Sequence, residues 1–569
     1  MQTDRDRERG DMPAPTMGDR TLPTAPEPAR DLAPHTTCDV AVVGWGPVGM
    51  VTAALLAQRG LTVTVVERWP TRYGLSRAGH FDGETMRTFQ GLGIAAQIEL
   101  VSRPMLMWSL VDAQMDLLAT IRLGEGGTSW RESYLSYQPE TESIFERRAL
   151  ELGVNLNLGM EVVRLEQHAN DVRLTVVPSL GDKVLDATDE RVIDAKYLIG
   201  ADGAHSFVRR TVGIERLDLG FRAMDELVID FEHHDSDHDM PELPEVYQVL
   251  DPDRPLLAGR WSGPRHSRFE FGAMEGETRE WLEREETAWQ LLRRWNLTPS
   301  EGRIARHGVY SFESRVAERW RDGRVLLVGD AAHTMPPFMG QGMCSGVRDA
   351  LNLAWKLPEV LAGRADDALL DTYESERRPH VETVIEMSVA VADMCLMRDH
   401  EQARERDAAL RAGRLPVPPS FPPLGPGVTR GEQRIGRTDS RPSPQGRGAL
   451  HGRVERLDDF HPGAWTVVSR LRVPTEIFNE RQLEVLEHLG VQFVHIARGA
   501  GDDYYIDLDG DYDLWFRGTG NKAMLIRPDH YVFGAVAAND DLPALVDELA
   551  DTLAGHGWHL PEPATPAHV

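Results

Sequence analysis

The chain has 569 residues, too many for one hydrophobic core, so two or three domains are expected. A net charge of −28 disfavours nucleic acid and anionic membranes as partners, and no apolar run of about 18 residues predicts a membrane span. With 41% hydrophobic residues and three widely spaced cysteines, Cys38, Cys344 and Cys395, it reads as a globular protein of the reducing cytoplasm, with no disulfide framework and no metal site.

Residues 1–35 are charged and proline-rich without an apolar stretch, which predicts a disordered tail rather than a secretory signal. Cys38 to Val43 is a short β-rich apolar run, read as a buried strand. Gly44-Trp45-Gly46-Pro47-Val48-Gly49 follows, then a helix over Met50 to Arg59, then a strand from Leu61 to Val66 that ends at Glu67. This is a βαβ unit with a dinucleotide fingerprint in its proper context. Gly44 permits the tight turn, Gly46 lets backbone approach a pyrophosphate, and Gly49 lets helix pack on strand. The helix N-terminus offers free N–H groups to phosphates, and Glu67 stands where a carboxylate accepts from ribose hydroxyls. Alone, the fingerprint suits NAD or FAD equally.

Two later segments bear on that choice. Tyr197 to Gly200 reads as a strand after the hairpin-like stretch Val172 to Val192, and it delivers Asp202-Gly203 before a helix from Ala204 to Arg210. Arg324 to Val328 is another buried strand, ending at Gly329-Asp330. Met335-Pro336-Pro337-Phe338 makes a stiff corner. Gly340-Gln341-Gly342-Met343 then opens a helix running through Lys356. Asp202 and Asp330 are placed to meet the hydroxyls and pyrophosphate region of a flavin dinucleotide, and the second helix N-terminus would face negative charge on its ring.

Between these segments, the insertion from about Phe221 to His307 predicts a β-sheet over the cofactor. Arg268-Phe269-Glu270-Phe271 alternates as a half-buried strand should, and makes Phe269 and Phe271 candidates for an apolar substrate pocket. Helical patterning covers Glu275 to Trp295 and Asp349 to about Arg411. Leu415 to Gly446, rich in Pro, Gly and Arg, reads as linker. The remainder mixes strands (Ala464 to Val468, Val491 to Ile496, Ala523 to Ile526) with helices and holds no cysteine, which excludes thiol redox chemistry there. Asp507, Asp509, Asp511 and Asp513 lack the glycine position and closing glutamate of an EF-hand, and His233, His234 and His238 read as a polar surface loop.

The three glycine-and-aspartate segments, in this order, resemble the single-component (class A) flavoprotein aromatic hydroxylases, of which p-hydroxybenzoate hydroxylase is the familiar example. Ser206-Phe207-Val208-Arg209-Arg210, Asp251-Pro252-Asp253-Arg254-Pro255, Arg268-Phe269-Glu270-Phe271, Ser345-Gly346-Val347-Arg348-Asp349-Ala350, Ala368-Leu369-Leu370-Asp371-Thr372-Tyr373 and Arg527-Pro528-Asp529 resemble 3-(3-hydroxyphenyl)propionate hydroxylases more closely. The resemblance implies an α/β architecture. An FAD-binding Rossmann-like domain (36–105, 133–215 and 310–400) would carry an inserted substrate-binding sheet domain (106–132 and 216–309). A linker (401–446) would lead to a cysteine-free thioredoxin-like domain (447–560).

It also implies flavin contacts from Arg68, Arg77, Gln138 and Pro337, and a mainly structural His333. His80-Phe81-Asp82-Gly83 and Phe338-Met339 depart from the family pattern, so His80, Pro336 and Phe338 join the substrate-pocket candidates. The implied reaction consumes NADH or NADPH and O₂ and hydroxylates a small phenol through a flavin C4a-hydroperoxide. The phenol would be a 3-(3-hydroxyphenyl)propionate-like compound or, alternatively, a polyketide or other polycyclic phenol. A non-catalytic flavin-binding regulator or scaffold is the alternative of another class. The family suggests a homodimer. No residue is assigned from sequence as the catalytic base.

Overall fold

Valine-rich runs without polar interruption form parallel strands buried on both faces. The strand His35–Val43 lies between Arg191–Gly200 and Val63–Glu67, parallel to each, and Val40, Ala41 and Val42 are fully buried. Asn155–Leu158 and Val325–Leu327 extend this sheet on either side, and it holds eight strands among the described residues. The computed structural model describes residues 32–72, 78–124, 127–221, 224–234, 246–261, 265–414, 421–430, 438–497 and 504–560. The ends of His35–Val43, Arg191–Gly200 and Val325–Leu327 hand the chain to the three sequence segments, so topology alone brings those segments to one edge.

A second, seven-stranded sheet is largely antiparallel. Its order is Gly302–Phe312, Met224–His233, His266–Gly272, Leu256–Arg260, Val246–Val249, Met107–Val111, Leu117–Arg122. One face packs Leu227, Ile229, Phe231, Phe269 and Phe271 against Trp295 and the short helix Glu285–Leu292. The period of two puts Glu226, Asp230, Arg268 and Glu270 on the other face. A third sheet of seven strands follows from Arg447–Leu450 to Val532–Val536. Thr466–Ser469 is parallel to Gln492–Ala497 and antiparallel to Ala523–Ile526, with helices Glu480–His488 and Leu542–Gly555 packed together.

Three details differ from the expected boundaries. Leu32 is buried and the first strand starts at His35, within the expected tail. Gly302–Phe312 runs past residue 309, and the helix His400–Arg411 occupies the start of the expected linker.

A buried charge cluster joins the last unit to the rest. The Glu376 carboxylate, on the helix Ala368–Cys395, accepts from Lys356 Nζ (2.8 Å), Arg527 (2.7 Å) and Asn352 (2.8 Å). Arg527 also forks onto Asp529 at 3.0 and 2.6 Å. Burial opposes ionisation of Glu376, but the Arg527 and Lys356 cations hold it down to about 2, while burial lowers Lys356 to about 8.

Substituting Glu376→Gln leaves Arg527 and Lys356 short of a counter-charge. The change is expected to cost roughly 3–5 kcal/mol of unfolding free energy in urea titrations, because an uncompensated buried charge remains. A loss below about 1 kcal/mol would contradict this. Because the folded-state value lies below the ordinary 4.5, the stabilisation is complete above that pH and is lost as pH falls through about 2.

Candidate active site

The three segments border one cleft of about 1440 Å³ between the first sheet and the inserted sheet. Gly46, Pro47, Val48, Arg68 and Gln138 line it, with Asp202, Gly203 and Asp330 from the second and third segments. Pro336, Pro337, Phe338, Gly340, Gly342 and Met343 continue the wall, and His80 completes it. Gly44, Gly49 and Gly329 stand behind as packing positions. Gly44 adopts φ +108°, and a Cβ there would sit 2.4 Å from the Ala201 carbonyl oxygen, so only glycine lets the first two segments meet. Glu67 is also behind the lining. Its two carboxylate oxygens accept from the backbone N–H of Trp45 (2.8 Å) and Trp69 (3.0 Å), and burial raises its pKa. Arg77 lies outside the described residues.

The donor set suits a flavin dinucleotide. Two helices, Pro47–Gln58 and Gly342–Leu361, present N-termini to the cleft, each able to face anionic groups. Asp202 caps the short helix Phe207–Thr211 by accepting from Val208 N–H (3.0 Å). Its Oδ1 is buried with no hydrogen-bond partner, an acceptor left over for a hydroxyl-bearing ligand. Asp330 is exposed into the same cleft from the middle of the turn Gly329–Ala331. Gln138 accepts from Ala78 N–H (2.8 Å) and donates to Glu142 (2.6 Å), so it orders the chain on that side.

Arg348 clamps the rim. It donates to Glu84 (2.8 Å), to Asp82 (2.5 Å) and to Gln341 (3.1 Å), and Glu84 also accepts from the Tyr531 hydroxyl (2.7 Å) in the third unit. Burial opposes ionisation of Asp82, yet Arg348 and the Thr85 N–H hold it down to about 2. His333, by contrast, is buried and bonded to Asp349 (2.6 Å), whose other oxygen accepts from Arg377 (3.0 Å). It does not line the cleft.

Part of the cleft lining is apolar: Trp108, Val246, Leu257, Trp261, Met387 and Met394, with Phe338, Trp108 and Val391 packed on one small core cluster. Phe269 and Phe271 are not there. Both point to the opposite face of their sheet, with ring centroids 4.7 and 6.0 Å from Trp295, and Glu270 between them lines the cleft. The alternation was right, but the inward face is the polar one. Arg268 neutralises that face, donating to Glu270 at 2.7 Å and lying 3.6 Å from Asp230. Beside it, burial and the nearby Glu270 raise the pKa of Glu226. Sequence reasoning gave Arg348 no role beyond a family motif and missed Glu84 and Ser133, because their roles arise from contacts between distant segments.

Asp507 accepts from Gly510 and Asp513 N–H, capping a turn, and Asp509 pairs with Arg447. His233 bonds Ser267 and His234 approaches the Pro299 carbonyl, while His238 lies outside the described residues. Among the described residues no helix is long and apolar enough to cross a membrane, and no group of three or more His, Cys, Asp or Glu is placed to hold a metal.

Comparison with known proteins gives the same picture. Residues 37–388 match the FAD binding domain family, and residues 442–552 match the HcaD C-terminal domain. A probable NADH-specific resorcinol 4-hydroxylase of Rhodococcus jostii (strain RHA1) is 35% identical over 91% of this chain and 95% of its own length. A 3-(3-hydroxy-phenyl)propionate/3-hydroxycinnamic acid hydroxylase of Comamonas testosteroni is 30% identical over 92% of this chain and 98% of its own. Among solved structures, the flavin-dependent monooxygenase PieE superposes with a TM-score of 0.75 at 22% identity, covering 92% of this chain and all of that one. Aklavinone-11 hydroxylase does so with 0.73 at 24%, covering 91% and 99%. Those two likenesses concern the fold. The chain belongs to the FAD-dependent, single-component flavoprotein aromatic hydroxylases.

Proposed function

We propose that this enzyme hydroxylates a small, uncharged monocyclic phenol of the resorcinol kind, with NADH as reductant. The carrying observation is the charge of the lining. Glu132 and Glu386 face the cleft, as do Glu270, paired with Arg268, and Glu313, paired with Arg216 and Arg315. Of the lining arginines, Arg279 is paired with Asp225 and Glu283, and Arg348 with Asp82 and Glu84. Arg68 stands directly after the strand Val63–Glu67, on the side where the first segment would hold the dinucleotide. Among the described residues, the apolar part of the lining therefore favours a neutral ring over one bearing a carboxylate. A 3-(3-hydroxyphenyl)propionate-like substrate is the second reading, supported by the Comamonas relative.

The residues divide the work. The helix starting at Pro47 and Arg68 would hold the pyrophosphate of FAD. Asp202 and Asp330 would accept from its hydroxyls, and the helix starting at Gly342 would face its ring. When bound and reduced, FAD supplies the activated oxygen. Trp108, Leu257, Trp261 and Phe338 exclude water and orient the phenol. The three cysteines are all free thiols, which supports a cytoplasmic setting. Family likeness supports a homodimer.

Asp330→Ala is expected to weaken FAD binding by about 10- to 100-fold, the worth of one or two hydrogen bonds to a charged group, read by flavin fluorescence titration. Unchanged affinity would remove Asp330 from the cofactor site. In a substrate panel, resorcinol should stimulate NADH and O₂ consumption with a product one oxygen heavier. 3-(3-Hydroxyphenyl)propionate and a polycyclic phenol should show kcat/KM at least about tenfold lower. The reverse preference would overturn the charge argument.

A further inference from the structure

The inner wall of the cleft carries a polar pair to which the cofactor reading assigns no hydrogen bond. The strand His80–Asp82 runs antiparallel to Ser133–Ser136, and His80 Nε2 lies 2.7 Å from Ser133 Oγ. His80 Nδ1 lies 3.2 Å from the Gly340 carbonyl oxygen. A carbonyl only accepts, so Nδ1 carries the proton and Nε2 is the acceptor for the Ser133 hydroxyl. Ser133 Oγ then keeps lone pairs for a third partner, and both side chains line the cleft. The approach of Gly340 is specific. It adopts φ +61°, and a Cβ there would fall 2.5 Å from His80 Nδ1. The turn that opens the Gly342–Leu361 helix thus sets the histidine's tautomer.

We propose that Ser133 and His80 form the relay that takes up the substrate's phenolic proton. The proposal rests on the reading of the substrate as a phenol. In the step, the phenol O–H breaks as a Ser133 O–H forms, and the serine's own proton passes to His80 Nε2. The charged groups facing His80 are Asp82 on its own strand and Arg348 from the Gly342–Leu361 helix; the Ser133 strand and the Gly340 loop bring neutral partners. Burial lowers the His80 pKa, Asp82 opposes that shift and Arg348 adds to it. The imidazole is therefore a weak base beside a phenol of pKa about 10, and no proton moves at rest.

Timing resolves the mismatch. As the ring carbon bonds to the activated oxygen, the hydroxyl becomes attached to an electron-poor ring and turns strongly acidic. A weak, neutral acceptor then suffices. Afterwards the attacked carbon would lose its hydrogen as a proton to the oxyanion that O–O cleavage leaves behind. The imidazolium returns its proton through Ser133 to the ketone oxygen, leaving an aromatic ring with one hydroxyl more than the substrate and a neutral histidine.

The test compares His80→Gln and Ser133→Ala in the FAD-loaded, full-length enzyme on two phenols: resorcinol, and 2-nitroresorcinol, whose hydroxyl is already ionised at the assay pH. Product formation from resorcinol is expected to fall about 100-fold in each variant, and the deficit on the pre-ionised phenol to shrink to roughly threefold. A merely structural role would lower both substrates alike, and that result, or no loss on resorcinol, overturns the relay. Ser133→Ala deletes a single oxygen, so it carries the test if His80→Gln fails to bind FAD. Wild-type enzyme inactive on both phenols would instead sink the substrate reading, whereas active wild type with undiminished variants sinks only the relay.

Discussion

Van der Waals contact between the three glycine-bearing segments is the constraint on which the cleft depends. A Cβ at Gly44 would collide with Ala201, one at Gly346 would lie 2.5 Å from Val48 and 3.1 Å from Gly329, and one at Gly200 would meet Leu327 and Val208 at 3.0 Å. Each segment thus touches the other two at a residue without a side chain. Backbones that approach this closely place the N-termini of two helices and two aspartates around a single space. No one of them could do so alone. The chemistry of a dinucleotide, anionic in the middle and rich in hydroxyls, fits that arrangement because helix ends and carboxylates answer those two needs separately.

The third unit is tied to this site by apolar packing of its sheet on Trp355 and Leu369 and, beside that, by buried charge. Glu376 gathers cations from the Gly342–Leu361 helix and from Arg527, and Tyr531 reaches Glu84, which in turn holds Arg348 at the cleft rim. Arg87 adds a further tie through Asp458 and the Ser443 carbonyl. These groups are buried, so their ionisation is coupled to docking of the unit. The wall that carries His80 and Asp82 is continuous with the same network, through Arg348 and Gln341.

What could be read in the sequence was local. Turn chemistry at Gly44, Gly203, Gly329 and Gly340 depends on neighbours in the chain, and the apolar strands ending at Val43, Gly200 and Val328 announce themselves by composition. The inserted sheet was legible as strands, yet not by face. Alternation separates Phe269 and Phe271 from Glu270 but says nothing of which side meets the cleft. The answer turned on Arg268, which allows a carboxylate to face inward. Trp108, Leu257, Met387 and Ser133 come from segments hundreds of residues apart in places, and only tertiary packing unites them. The Tyr531–Glu84–Arg348 chain spans 447 residues at its first step and has no signature in either segment.

A diffraction structure of the protein grown with FAD bears most directly on convergence of the three segments. The pyrophosphate should lie at the helix start formed by Gly46, Pro47 and Val48. The polyol chain should meet Asp330, and the ring system should border Pro336, Pro337 and His80. A dinucleotide bound elsewhere, or touching only one of the three segments, would contradict the account.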